Sequence, residues 1–370
     1  MSGRYERKKA KRPLGGKKTA LIILAVVLVL IVAVLIAGIV YYNVMLNKIN
    51  IVEVPKIEYT TPATETTGPA EETTQPETTE ATTVATTEPH VASSADYLNI
   101  LIVGQAARDG EEERFADTAI LCSINTYTKK LTMISLLRDS LVRPPDYKGH
   151  YFGRIKLTTV YHLGSLYGDG VAGSMELMNL TLYSNFGIEV DYNFEIDFEA
   201  FVKVVNMIDG IDIELTEAEA NYLNSDGKVW QEVEPGINWL DGDTALAYAR
   251  MRKAEGDSES DIKRTSRQRI FMEAVLTKLK GKSLSDLQAL ANEVLPMITT
   301  SMSKSEITEY LVTLLPMLPE MTFEDGGNCP ANSRGEMVDI YGDGMYHSVL
   351  RFDETETKKT MRAITEGEEP

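Results

Sequence analysis

Arginines and aspartates gather at the ends of three stretches, and grouped guanidinium and carboxylate groups suit the handling of phosphate. Phe115-Ala116-Asp117-Thr118 leads into an apolar run, and Ile134-Ser135-Leu136-Leu137 runs straight into Arg138-Asp139-Ser140. The third stretch, from Ala245 to Arg269, reads ALAYARMRKAEGDSESDIKRTSRQR. On a helix of ~100° per residue, Arg264, Arg267 and Gln268 fall at about 0°, −60° and +40°. Phe271 and Val275, at about −20° and +20°, share that sector, so an apolar face turns polar at the helix start. Arg269 lies about 140° away and is expected to point to solvent. A planar guanidinium fork grips phosphate oxygens in pairs, and a helix N-terminus favours an anion. The same spacing fits arginines paired with Glu255, Asp257 or Asp261 in a structural network, and both readings stay open.

The elements that must carry these groups alternate between strands and helices. Asn99–Gly104 is a short apolar run ending in glycine, a buried-strand pattern. Thr118–Asn125 and Lys130–Leu136 flank Thr126–Lys129 as a hairpin. Further strands are predicted at Ile188–Ile196, Ile211–Leu215, Met337–Tyr341 and Tyr346–Phe352. Helices are predicted at Ser174–Phe186, Asp197–Met207, Thr244–Met251, Asp261–Lys280, Leu284–Ile298, Lys304–Leu315 and from Glu354 onward. Asp197 is placed to cap its helix, and Thr216 with Glu219 and Ser303 with Glu306 have capping-box spacing. Strands mixed with helices throughout predict a single α/β domain with a central mixed β-sheet flanked by helices.

The 370 residues carry a net charge of −18, but residues 1–18 hold eight Lys or Arg against one Glu, so the remainder sums to −25. Such an acidic remainder argues against nucleic acid as a partner. Leu21 to Tyr42 has no charged side chain and at ~1.5 Å per residue is long enough to cross a bilayer. It reads as one transmembrane helix, residues 19–43, because it outruns a signal-peptide core and no small-residue cleavage site follows. The basic tail, residues 1–18, places the N-terminus in the cytoplasm and the rest of the chain outside the cell. Residues 44–96 read as a disordered stalk, with thirteen threonines between Thr60 and Thr87 and little that could fill a core. Cys122 and Cys329 allow either a disulfide or two separate thiols, and four scattered histidines suggest no histidine metal site.

Taken in order, ILIVG, ADT, SLLRDS, KLTTVYHLGS (Lys156–Ser165), ALAYARMR and DIKRTSRQR resemble the extracytoplasmic domain of the LytR–CpsA–Psr family of cell-wall glycopolymer transferases. The likeness covers residues 97–280, with residues 281–370 left as a helical and strand extension. It implies transfer of a glycopolymer from a polyprenyl-pyrophosphate lipid to a peptidoglycan sugar hydroxyl, at a membrane and with Mg²⁺. By motif position, Arg138, Arg250, Arg252 and Arg264 would hold the pyrophosphate, supported by Arg267, Gln268 and Arg108. Asp117 would face the metal, and Arg138, Asp117 and Asp139 would be catalytic. Ala106, Leu137, Thr158 and Ser165 depart from the family's usual acid, Pro, Asn and Gly. Ala106 removes an expected metal carboxylate. That keeps two alternatives in view: a non-catalytic lipid-linked-glycan binding or regulatory protein, and a polyprenyl-pyrophosphate hydrolase.

Overall fold

The structure, a computed structural model, describes residues 42–57, 59, 93–105, 114–225, 229–252 and 260–367. The chain divides into a first unit, Met1–Lys48, and a main unit, Ile49–Pro370. In the first unit residues 42–46 are helical. The expected membrane span lies almost wholly outside the described residues, as does the basic tail. Among the described residues no helix is long and apolar enough to cross a membrane.

The main unit is built on one seven-stranded sheet. Its strands in chain order are β1 (Asn50–Ile51), β2 (Tyr97–Gln105), β3 (Thr118–Asn125), β4 (Lys130–Leu136), β5 (Tyr192–Asp197), β6 (Ile298–Thr300) and β7 (Thr322–Cys329). They lie in the order β1-β6-β5-β2-β3-β4-β7. β2 runs parallel to β5 and antiparallel to β3, so the sheet is mixed as expected. Both faces are covered, which is why β3 and β4 read as nearly unbroken apolar runs.

One face packs Leu101, Val103, Leu121 and Ile134 against helices α1 (Leu157–Tyr167) and α2 (Gly170–Phe186). α1 was not expected, because Gly164 weakens its helical pattern. That glycine is needed: a Cβ on it would lie 2.4 Å from the Gly173 carbonyl oxygen, so only glycine lets the two helices meet. The second face carries α3 (Phe198–Met207), α5 (Gly242–Arg250), α6 (Ser260–Lys280) and α8 (Lys304–Leu314). α4 (Glu217–Ser225), α7 (Leu284–Val294) and α9 (Glu354–Thr365) complete the helices. The caps form as expected: Asp197 accepts from the Ala200 amide, and Glu219 and Glu306 bond back to Thr216 and Ser303.

Two boundaries differ from expectation, and one open choice is resolved. Residues 281–370 are not a separate extension, because β6 and β7 are strands of the central sheet. The stalk over 44–96 does not begin at residue 44. Asn50–Ile51 pairs with Thr299–Thr300, and the Tyr59 ring packs tilted against that of Tyr183, with centroids 4.6 Å apart. Residues 60–92 lie outside the described residues. Of the two readings open for Cys122 and Cys329, the structure has the separate thiols: both are free and buried, on opposite faces of the sheet, which no disulfide geometry spans.

Candidate anion site and apolar cavity

β2 and β5 both end at the same edge of the sheet, with Gly104 opposite Ile196 and Gln105 opposite Asp197. β3 begins there, with Thr118 opposite Gly104, and β4 continues past it into Arg138 and Asp139. The carboxyl ends of parallel strands leave a crevice in α/β sheets, and the arginine–aspartate motifs fall at this end. α6 brings in Asp261, Arg264 and Gln268 from the covering layer.

Arg138 is the hub. Its Nη1 lies 2.8 Å from Asp117 Oδ1, its Nε 3.1 Å from Asp261 Oδ2 and 3.6 Å from Asp139 Oδ2. Burial alone would lower its pKa, but Asp261, Asp139 and Asp117 together outweigh that and hold the pKa above its ordinary value. Burial pushes the Asp261 carboxyl up, but Arg264 and Arg138 outweigh it and hold that carboxyl below its usual range. Lys156 donates to Asp139 at 2.7 Å.

Arg264 is different. It is 4% exposed, reaches Asp261 Oδ1 at 3.3 Å and the Asp117 carbonyl at 3.5 Å, and its Nε is buried with no partner among the described residues. Burial first, then the charge of Arg138, drives its pKa down to about 10. Asp261 and Asp117 act in the opposite direction and offset the burial only in part. Gln268 donates to Thr118 Oγ1 at 2.9 Å. The Arg250 guanidinium lies 4.6 Å from the centre of the Phe198 ring, and Arg252 is exposed nearby.

These groups rim a cavity of about 540 Å³ between the sheet and helices α3, α5 and α6. Asp117, Thr118, Arg250, Arg252, Arg264 and Gln268 belong to its wall, with the carboxylates Asp197 and Asp243 beside them. Behind them the wall turns apolar, through Ile102, Ile120, Ile196, Phe201, Phe271 and Met272. An amphiphile with an anionic head and a hydrocarbon tail matches that division, and the volume is within the usual ~300–1,000 Å³ of ligand sites.

Not every expected residue faces the cavity. Arg267 is buried against Glu219, 2.7 Å away, and donates to the Met251 carbonyl at 3.2 Å, which fixes the backbone between Arg250 and Arg252. Arg138 stands behind Asp117, and Arg108 and Ala106 lie outside the described residues. Arg269 does not point to solvent: it is 4% exposed, bonded to Asp325, Ser135 Oγ and Asn328. α6 is buried on two sides, so a single apolar stripe misjudges it. Sequence reasoning assigned no site role to Lys156 or Asp261, or to the apolar wall. The Asp261 spacing to Arg264 carried a signal, but the wall carried none, since its residues look like ordinary core.

The LytR_cpsA_psr family model matches residues 59–321. A teichoic acid transferase of Oceanobacillus iheyensis, named polyisoprenyl-teichoic acid–peptidoglycan teichoic acid transferase TagU, is 30% identical over 220 residues, covering 60% of this chain and 62% of the relative. The chain spans between 55% and 62% of the length of the first curated relatives it matches. The solved structure of TagT bound to LIIa-WTA superposes with a TM-score of 0.55 at 24% identity, covering 73% of this chain and 90% of that one. Another TagT structure, with bound octaprenyl pyrophosphate lipid, gives 0.51 at 21% identity, covering 73% and 90%. At these identities the structures show a shared fold.

Proposed function

The chain belongs to the LytR_cpsA_psr family, and from that premise we propose that it moves a glycopolymer from a polyprenyl-pyrophosphate carrier to a peptidoglycan sugar hydroxyl. One observation carries this reading: a buried Arg264, its Nε without a partner among the described residues, at the junction of an arginine-bearing polar rim and an apolar cavity. The pyrophosphate lies against Arg264, Arg250 and Arg252, and the polyprenyl chain fills the apolar wall. Arg138 keeps Asp117 and Asp261 in place and adds its charge from behind.

Phosphoryl transfer needs alignment and neutralised charge more than covalent help from the protein. The acceptor hydroxyl oxygen attacks the sugar-bearing phosphorus. The bond from that phosphorus to the bridging oxygen breaks, its electron pair leaves with the polyprenyl phosphate, and the hydroxyl proton passes to water at the open mouth. Arginines stabilise the departing charge.

Magnesium commonly binds through one or two carboxylates completed by phosphate oxygens. Asp117, on the cavity wall and 38% exposed, fits as one such carboxylate. Among the described residues no group of three or more His, Cys, Asp or Glu side chains forms a metal cage, so a magnesium ion here would depend on the donor's phosphate oxygens. The ion would supply further charge neutralisation.

The test is binding of a short polyprenyl-pyrophosphate analogue with and without Mg²⁺, followed by product analysis with lipid-linked polymer and peptidoglycan. Arg264→Ala is expected to weaken binding by about 2–3 kcal/mol, the worth of a hydrogen-bonded charge, and to abolish transfer. Full activity in both Arg264→Ala and Arg138→Ala would remove the residue assignment. Free phosphorylated glycan as the product would replace the transferase with a hydrolase.

A further inference from the structure

β1 fixes where the chain enters the domain. Asn50 pairs with Thr299, Thr299 with Glu195, and Glu195 with Val103. One step toward the N-terminus along the β1 direction the next row holds Ile298, Ile196, Gly104 and Thr118. That row leads to Asp117, Asp197 and the arginine rim. The chain therefore enters the sheet at the end that carries the site.

β1 then leads away from that end. Val52 donates to the Thr300 carbonyl, and the Tyr59 hydroxyl bonds to Val190, which precedes the first residue of β5. The following Asp191 accepts from the Asn99 amide, near the start of β2. Tyr59 and Ser93, which bracket the threonine-rich stretch, are thus both rooted at the end of the sheet remote from the site. A segment that leaves and re-enters the domain at its far end is not a spacer upstream of it. The spacer is instead the short stretch from Tyr42, where the apolar run stops, to Asn50, at most about 28 Å of extended chain.

We propose that the site end of this domain rests on the outer surface of a phospholipid bilayer, with the arginine rim at headgroup level. The occupant is argued from the short tether, from its entry at the site end, and from charge. Arg250 and Arg252 are exposed there and suit phosphate headgroups, although Asp197, Asp243 and Glu199 stand at the same end, so the tether carries more of the argument than the charge. The purpose rests on the lipid-donor reading above: a polyprenyl tail enters the cavity without crossing water. The geometry does not depend on it.

The experiment uses the full chain in phosphatidylcholine vesicles containing a nickel-chelating headgroup lipid that quenches nearby fluorophores. Glu199→Cys reports from the start of α3 at the site end, and Tyr127→Cys from the hairpin turn at the far end; both positions are exposed. The native thiols are buried, and burial pushes both pKa values up, which leaves them unreactive. Quenching is expected to be several-fold stronger at 199 than at 127. An insert of about twenty Gly/Ser residues between Lys48 and Ile49 should erase the difference. Equal quenching, stronger quenching at 127, or a chain that does not float with the vesicles overturns the proposal. Unequal quenching as expected, with no binding of the pyrophosphate analogue, would instead fault the lipid-donor reading and leave this orientation standing.

Discussion

Arg264 holds a charge that the unliganded fold does not reward. Its pKa, pushed down to about 10 chiefly by burial and by Arg138, leaves it protonated at neutral pH but less stabilised than an exposed guanidinium. Replacement by methionine keeps much of the volume and removes a buried charge that Asp261 and Asp117 offset only in part. Arg264→Met is expected to raise the unliganded Tm by about 2–4 °C while abolishing pyrophosphate binding. A fall in Tm would mean that Asp261 and the Asp117 carbonyl already satisfy the guanidinium. Asp261 behaves in the opposite way. Its folded pKa is depressed, so its stabilisation is present above the ordinary carboxylate range and is lost as pH falls through the lower folded value. Asp261→Asn should therefore lower Tm at pH 7, with the deficit closing as both proteins are taken down toward about pH 2. Melting curves across that range check the sign, and a deficit independent of pH would show that packing, not charge, holds Asp261.

α6 and the strand beside it explain what could be read in advance and what could not. The hairpin, the caps at Asp197, Thr216 and Ser303, and the arginine face of α6 follow from local spacing, and the structure contains them. β7 was invisible because Gly326-Gly327 reads as a turn. In the fold a Cβ at Gly326 would lie 2.6 Å from Ile134 Cγ1, and Gly327 has φ +72°, so both glycines serve a bulged strand packed tightly on β4. Without β7, Arg269 had no visible partner and looked solvent-directed. Burying it on Asp325, Ser135 and Asn328 ties α6 across the last two strands. Arg269→Ala should cost about 1–3 kcal/mol in chemical denaturation, because it strands buried partners. Donor binding by the folded protein should be unchanged, since Arg269 is remote from the cavity wall. The Gly164–Gly173 contact makes a second test at this scale. Gly164→Ala must separate α1 from α2 and is expected to destabilise by about 1–3 kcal/mol.

At the scale of the whole molecule, the sheet has a site end and a far end, and the chain uses them differently. Asn50–Ile51 is held at the sheet edge by Thr299 and Thr300 near the site end, and Tyr59 is held by Tyr183 and Val190 near the far end. Composition alone makes the threonine-rich stretch look like a stalk, because low hydrophobicity reports what cannot form a core, not where its ends are attached. The attachment points decide its role. From Tyr59 through Val190 and Asp191 to Asn99, and back along the chain to Ser93, the path is only a few strand spacings long. A linker of about twelve residues reaches ~40 Å, ample for that gap. Replacing residues 62–90 by such a Gly/Ser linker should leave the denaturation midpoint and the donor affinity unchanged. A true stalk would respond otherwise: shortening it would change the rate of transfer from vesicle-borne donor. Transfer rates from vesicle-borne donor, measured for the shortened chain beside the chain lengthened between Lys48 and Ile49, separate the two. On the proposed placement of the site end at a bilayer, the shortened chain should match the native rate and the lengthened one should fall below it.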